Sequence, residues 1–175
     1  MLKLYESFQN THVMSLRIGG PIAHIVKPII NPNNLFIEGW HVQDSRSGEM
    51  LILLSRDVRD VLPQGLVVND HEVLSHAEDL VRLQEILELD FELLKLKVSS
   101  QSGKKYGRVS DFAFETKSLY VQKIYVAQPI VRNLTGGTLS VDRSQIIEIT
   151  NRRIIIEDPT VKVEGKVAAT SPVAS

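Results

Sequence analysis

The sequence predicts an all-β protein with one linker helix, organised as two tandem small β-barrels. Two observations carry that reading: a long internal repeat, and short apolar runs of strand character closing each copy. A third is the single stretch of helical period, which lies between the copies. Leu35 falls on Leu119, an offset of 84 (119 − 35), and this register runs from Ser15/Ser99 to Val42/Val126. Along it lie Gly19/Gly103, Ile25/Val109, Ile30/Phe114, Phe36/Tyr120 and Ile37/Val121, so apolar residues meet apolar ones at strand positions. The offset then becomes 88 (158 − 70), matching Val58/Ile146, Val61/Ile149, Leu66/Ile154, Val68/Ile156 and Asp70/Asp158. Residues 13–70 and 98–158 are thus two copies of one unit.

The first barrel is assigned to residues 1–70 and the second to 94–158. Each ends in two apolar runs around a reversing segment, Leu62-Pro63-Gln64-Gly65 in one and Thr150-Asn151-Arg152-Arg153 in the other. The runs Leu66-Val67-Val68 and Ile154-Ile155-Ile156 are too short for buried helices and too apolar for the surface, and are expected as core strands. A repeat of roughly 60 residues hides its sheet edges by curling into a small barrel filled by its own side chains.

Residues 71–93 are expected to form the amphipathic linker helix, opened by Ser75-His76-Ala77-Glu78 as a capping box. Leu80, Leu83 and Leu87 recur at helical spacing, and Glu78 and Arg82 stand where an i,i+4 ion pair forms. At Leu94-Lys95-Leu96-Lys97-Val98 the period shortens to two, where the second barrel should begin. Residues 159–175 lack any period and read as a flexible tail.

Composition narrows the function classes. A net charge of -1 argues against a protein whose main task is coating nucleic acid. The chain contains no cysteine, which removes thiol nucleophiles, thiolate metal sites and disulfides, and fits a reducing, cytoplasmic setting. The N-terminus has no apolar signal core, and no segment approaches the ~20 apolar residues of a membrane helix. None of His12, His24, His41, His71 and His76 falls at a paired metal-ligand spacing, and His24 and His41 align with Arg108 and Tyr125. No catalytic residue, metal or cofactor is expected.

Two surfaces of the second copy stand out. Its basic residues include Lys104, Lys105, Arg152 and Arg153, candidates for nucleic-acid contact. Its extra four residues (88 − 84) fall where Gln43–Glu49 of the first copy becomes Ala127–Gly137 of the second. That loop carries Ile130, Val131 and Leu134 around Arg132, which either tuck beneath the barrel or stand exposed as a partner-binding patch.

Gly103-Lys104-Lys105-Tyr106-Gly107-Arg108-Val109-Ser110-Asp111 resembles the G-x-x-x-G-x-V-x-D opening of the PRC-barrel family, and Leu139–Ile149 resembles its closing segment. The first copy carries Ala23 at the second glycine and Lys27 at the aspartate. The family includes the cytoplasmic barrel of the photosynthetic reaction-centre H subunit and the C-terminal barrel of the ribosome maturation factor RimM. The resemblance implies a non-enzymatic barrel that docks on other macromolecules. The expectation is therefore an adaptor that binds a protein partner through the second barrel. The alternative is a ribosome-maturation or RNA-associated factor using the basic face, with a ribosomal protein or RNA as partner. A homo-oligomer is compatible with both.

Overall fold

The structure is a computed structural model that describes residues 1–130 and 136–159. It is mostly β. The chain opens with β1 (Leu2–Leu4), which pairs into the second unit although it falls within the 1–70 expected for the first. The first unit comprises β2 (His12–Ser15), β3 (Gly20–Ile30), β4 (Ile37–Asp44), β5 (Met50–Leu54), β6 (Val58–Leu62), β7 (Gly65–Val68) and β8 (Leu74–Ser75). A helix, α1 (Gln84–Leu89), precedes β9 (Lys97–Ser100), β10 (Lys105–Glu115), β11 (Val121–Ala127), β12 (Thr138–Asp142), β13 (Ile146–Ile149) and β14 (Arg153–Ile156).

These strands form two curled seven-stranded sheets with the same order. One runs β6-β7-β2-β3-β4-β5-β8 and the other β13-β14-β9-β10-β11-β12, with β1 added beside β10. In each, a parallel pair (β2 with β7, β9 with β14) interrupts antiparallel neighbours. The irregularities repeat as well. The bulges at Ile25/Lys27 and Ile29/Ile30 recur at Val109/Asp111 and Ala113/Phe114, which lets both long strands bend sharply enough to serve both sides of a curled sheet.

The structure corrects one register. Leu16 N and Gln101 N donate to Val68 O and Ile156 O respectively, so Ser15 corresponds to Ser100 and not to Ser99. The bond that closes the turn runs from Gly19 N to Ser15 O in the first unit and from Gly103 N to Ser100 O in the second, one residue fewer, a slip that leaves the burial pattern of β2 and β9 the same.

The linker differs from expectation more. Ser75 ends β8, paired with Ile52, and the first helical turn starts after it with His76 as its N-cap and no side-chain capping bond. Two 3₁₀ turns, Ala77–Asp79 and Val81–Leu83, follow, separated by non-helical Leu80. The α-helix is six residues long and ends at Asp90 in the left-handed region (φ 41°). Glu78 and Arg82 form no ion pair among the described residues. The apolar face is nonetheless as its spacing implies: Leu80, Leu83 and Leu87 pack with Ile29 and Ile52 of the first unit. Beyond it, positive-φ Lys95 delays the next strand to Lys97.

The two units meet at equivalent residues. Ile37 N donates to Leu119 O and Val121 N to Leu35 O, both at 2.9 Å, and Phe36 bridges Tyr120. The offset of 84 carries Phe36 onto Tyr120 itself and turns the bond from Ile37 to Leu119 into the bond from Val121 to Leu35, so the junction has local two-fold character, like the self-complementary contact of a symmetric dimer. Leu35 and Leu119 share the left-handed conformation this needs (φ 59° and 57°). Straps cross the junction in both directions. Tyr5 stacks on Phe112 with ring centroids 4.9 Å apart, while Lys27 of β3 binds Asp90 and Glu92 at the end of the linker. One hydrophobic cluster consequently runs through both units, from Trp40, Leu53 and Leu66 to Phe112, Ile124 and Ile154.

Candidate docking face of the second unit

Strand alternation sends Val98 into the core and Lys97 outward, so the side chains flanking Lys97 are set by backbone register. Lys97 pairs with Arg153 on β14 and with Arg108 on β10, and Arg108 pairs with Ala127 on β11. The result is an outward row, Arg153–Lys97–Arg108–Ala127, with three adjacent cations. Lys105 lies opposite Ser99, one step along the same face. Together with Gly107, Gln128 and Pro129 these residues line a surface depression of about 860 Å³.

The row is held from below. Arg108 Nη1 donates to Lys95 O at 2.9 Å, which fixes the guanidinium beside β9. Gly107 lies at φ 130°, and a Cβ there would stand 2.0 Å from Ala127 O, so only glycine lets β10 approach β11 this closely. Among the described residues no ion pair involves Lys97, Lys105, Arg108 or Arg153, and no carboxylate lines the depression.

The four basic residues singled out by sequence separate in space. Lys105 and Arg153 line the depression. Lys104 turns back over the ring of Tyr106, 5.3 Å from its centroid, and Arg152 sits in the Thr150–Arg153 turn, where its amide donates to Thr150 Oγ1. Lys97 and Arg108, which the sequence reading left out of its contact candidates, line the depression beside Lys105 and Arg153. Of the apolar loop, Ile130 is 83% exposed and directly follows the lining residues Gln128 and Pro129. Val131, Arg132 and Leu134 lie outside the described residues, as do residues 160–175 of the expected tail.

The first unit builds the matching positions differently. Its equivalent row is Gly65–His12–His24–Gln43, joined by the same pairings. The His12 and His24 rings lie 4.6 Å apart, an arrangement their separation in sequence did not disclose. No group of three or more metal-ligating side chains occurs among the described residues. The loop after β4 is short and stapled. Asp44, 4% exposed, accepts from Ser47 N (3.0 Å), Ser47 Oγ (2.9 Å) and His71 Nε2 (2.8 Å). Burial alone would raise the Asp44 carboxyl, but these hydrogen bonds from His71 and Ser47 outweigh it and hold it down at about 2. Ser47 donates to this weakly basic carboxylate and not to His71, so the trio works as a loop clamp and lacks the hydroxyl-to-imidazole contact of a nucleophilic triad.

The aspartate of the G-x-x-x-G-x-V-x-D segment has a structural part too. Asp111 is buried and accepts from the amides of Glu6 (3.0 Å) and Phe112 (2.8 Å), tying the N-terminal strap to β10. At the equivalent position, Lys27 binds the linker carboxylates instead. Both residues anchor a crossing strap; only the sign of the charge differs.

No family model matches the chain, and no curated protein matches it. Among the described residues no helix is long and apolar enough to cross a membrane.

Proposed function

We propose that this chain is a non-enzymatic adaptor of two PRC-type barrels, each curled sheet closing at a 3₁₀ turn, Ser55–Asp57 between β5 and β6 and Arg143–Gln145 between β12 and β13, and that it docks a protein partner on the second unit. The observation that carries the reading is the asymmetry of one loop. In the first unit Asp44 clamps it shut; in the second, Gln128 occupies the corresponding place, the loop is longer, and Ile130 stands 83% exposed. An apolar side chain at the rim of a depression, on a rigid strand scaffold, is what a docking surface supplies.

The cationic row favours a second reading, an RNA-associated or ribosome-maturation role through phosphate contacts. One experiment separates the two: capture of partners from a cell lysate, with and without nuclease, by the natural chain and by an Ile130→Asp, Leu134→Asp variant. A protein partner retained after nuclease and lost with the variant is the expected result. Ribosomal RNA and protein that vanish with nuclease and ignore the variant would replace the adaptor reading with the second.

A further inference from the structure

We propose that the row Arg153–Lys97–Arg108 is an anion-recognition site for an acidic protein segment, one that presents carboxylates to the row and an apolar side chain to Ile130. This deepens the adaptor reading and rests on it.

The first argument is cost. Like charges placed directly opposite on neighbouring strands destabilise a sheet, and here two such juxtapositions share Lys97. The fold does not need them, because the same row in the first unit is Gly65–His12–His24–Gln43 on the same strand order and the same bulges. Three cations kept together without a carboxylate among the described lining residues make a site complementary to an anion from outside the unit.

The second argument is geometry. Three neighbouring strands place the charged groups over roughly 10 Å, a span that two or three carboxylates of one extended or helical segment cover. Arg108 is already oriented by its bond to Lys95 O, so less side-chain freedom is lost when a planar carboxylate docks on it.

The third argument selects the occupant. Single-stranded RNA sites combine phosphate contacts with exposed aromatic faces for base stacking. No aromatic residue lines this depression; Tyr106 is buried beneath Lys104. The rim instead offers Pro129 and then Ile130, and the whole chain carries a net charge of -1. Carboxylates with an apolar neighbour fit this better than phosphates with bases.

The test is a titration of the isotope-labelled full chain, followed by amide NMR shifts, with a short peptide of alternating Glu and Leu. A Gln–Leu peptide of the same length and a uridine oligonucleotide serve as comparisons. The first unit is the internal control. Shifts should concentrate at Lys97, Arg108, Arg153 and Gln128–Ile130, spare His12, His24 and Gly65, and shrink at high salt. Lys97→Gln with Arg108→Gln should weaken the peptide about tenfold, whereas Lys97→Arg, which keeps the charge, should not. Absent shifts, equal shifts on both rows, tighter binding of the oligonucleotide, or row shifts that grow with protein concentration alone would each overturn the assignment, the last in favour of a second copy. Partner capture that Ile130→Asp abolishes and the double Gln variant leaves intact would overturn it while preserving the adaptor reading.

Discussion

The outward row of the first unit, Gly65–His12–His24–Gln43, and that of the second, Arg153–Lys97–Arg108–Ala127, occupy the same places in the same curled sheet, yet share no residue. Beneath them, Val13 and Val98, Leu66 and Ile154, Val68 and Ile156 are buried alike. The difference teaches where the constraints lie. Inward positions are interchangeable only among apolar residues of similar volume, because the core is packed. Outward positions are released from that demand and free to carry function.

The buried half of the comparison should break first. Leu66 and Ile154 are equivalent, both 0% exposed, and belong to one cluster spanning the junction. Leu66→Ala and Ile154→Ala should each cost about 3 kcal/mol, the range for truncating a fully buried aliphatic side chain. Since the cluster is shared, each variant should lower a single unfolding transition followed by denaturant or calorimetry. Two separate transitions, with each variant moving only its own, would show that the two-fold junction of Leu35 and Leu119 does not couple the units.

The clamped loop is the next point of contrast. Asp44 has its carboxyl depressed to about 2 from 3.8, so its contribution to stability is complete above the unfolded value of 3.8 and is lost as pH falls through about 2. The loop borders solvent, which discounts the gain to about 1 kcal/mol. The natural chain should therefore melt above Asp44→Asn at neutral pH, and the gap should close between pH 4 and pH 2. The second unit, with Gln128 at this place, contributes no such step. A gap that is the same at pH 2 and pH 7 would mean that the clamp acts through shape and not through charge.

How much of this was legible in the sequence follows from the same division. Buried positions repeat with apolar character, so the offsets of 84 and 88, the turns and the core strands Leu66–Val68 and Ile154–Ile156 could be read directly. The slip that pairs Ser15 with Ser100 could not, because Ser99 and Ser100 are the same residue type. The helix was overextended because Leu80, Leu83 and Leu87 bury one face in successive 3₁₀ and α turns as readily as in a continuous helix. The cationic row was out of reach for a different reason. Lys97, Arg108 and Arg153 are far apart in sequence and meet only through the register of β9 with β10 and β14. Alignment of Arg108 with His24 did mark that position as exchangeable, and the pairing of Arg153 with Lys97 was the missing link.

The smallest expected effect bears on the outward row itself. If the three cations are kept for binding and not for folding, removing the middle one should relieve repulsion from both sides. Lys97→Ala should then stabilise the free chain at low salt by about 0.5 kcal/mol, within the range for cross-strand charge pairs. The gain should fade at high salt as the charges are screened. The equivalent His12 lies between Gly65 and His24 with no Lys or Arg beside it, so the effect of His12→Ala should not follow ionic strength in this way. Denaturant midpoints at two salt concentrations measure both. A Lys97→Ala chain that is less stable at low salt would show that the Lys97 side chain contributes packing along β9 that outweighs the repulsion, and would remove the cost argument for an anion site. Relief at low salt that disappears at high salt would show that the fold tolerates the row at a measurable expense, as a site awaiting opposite charge should.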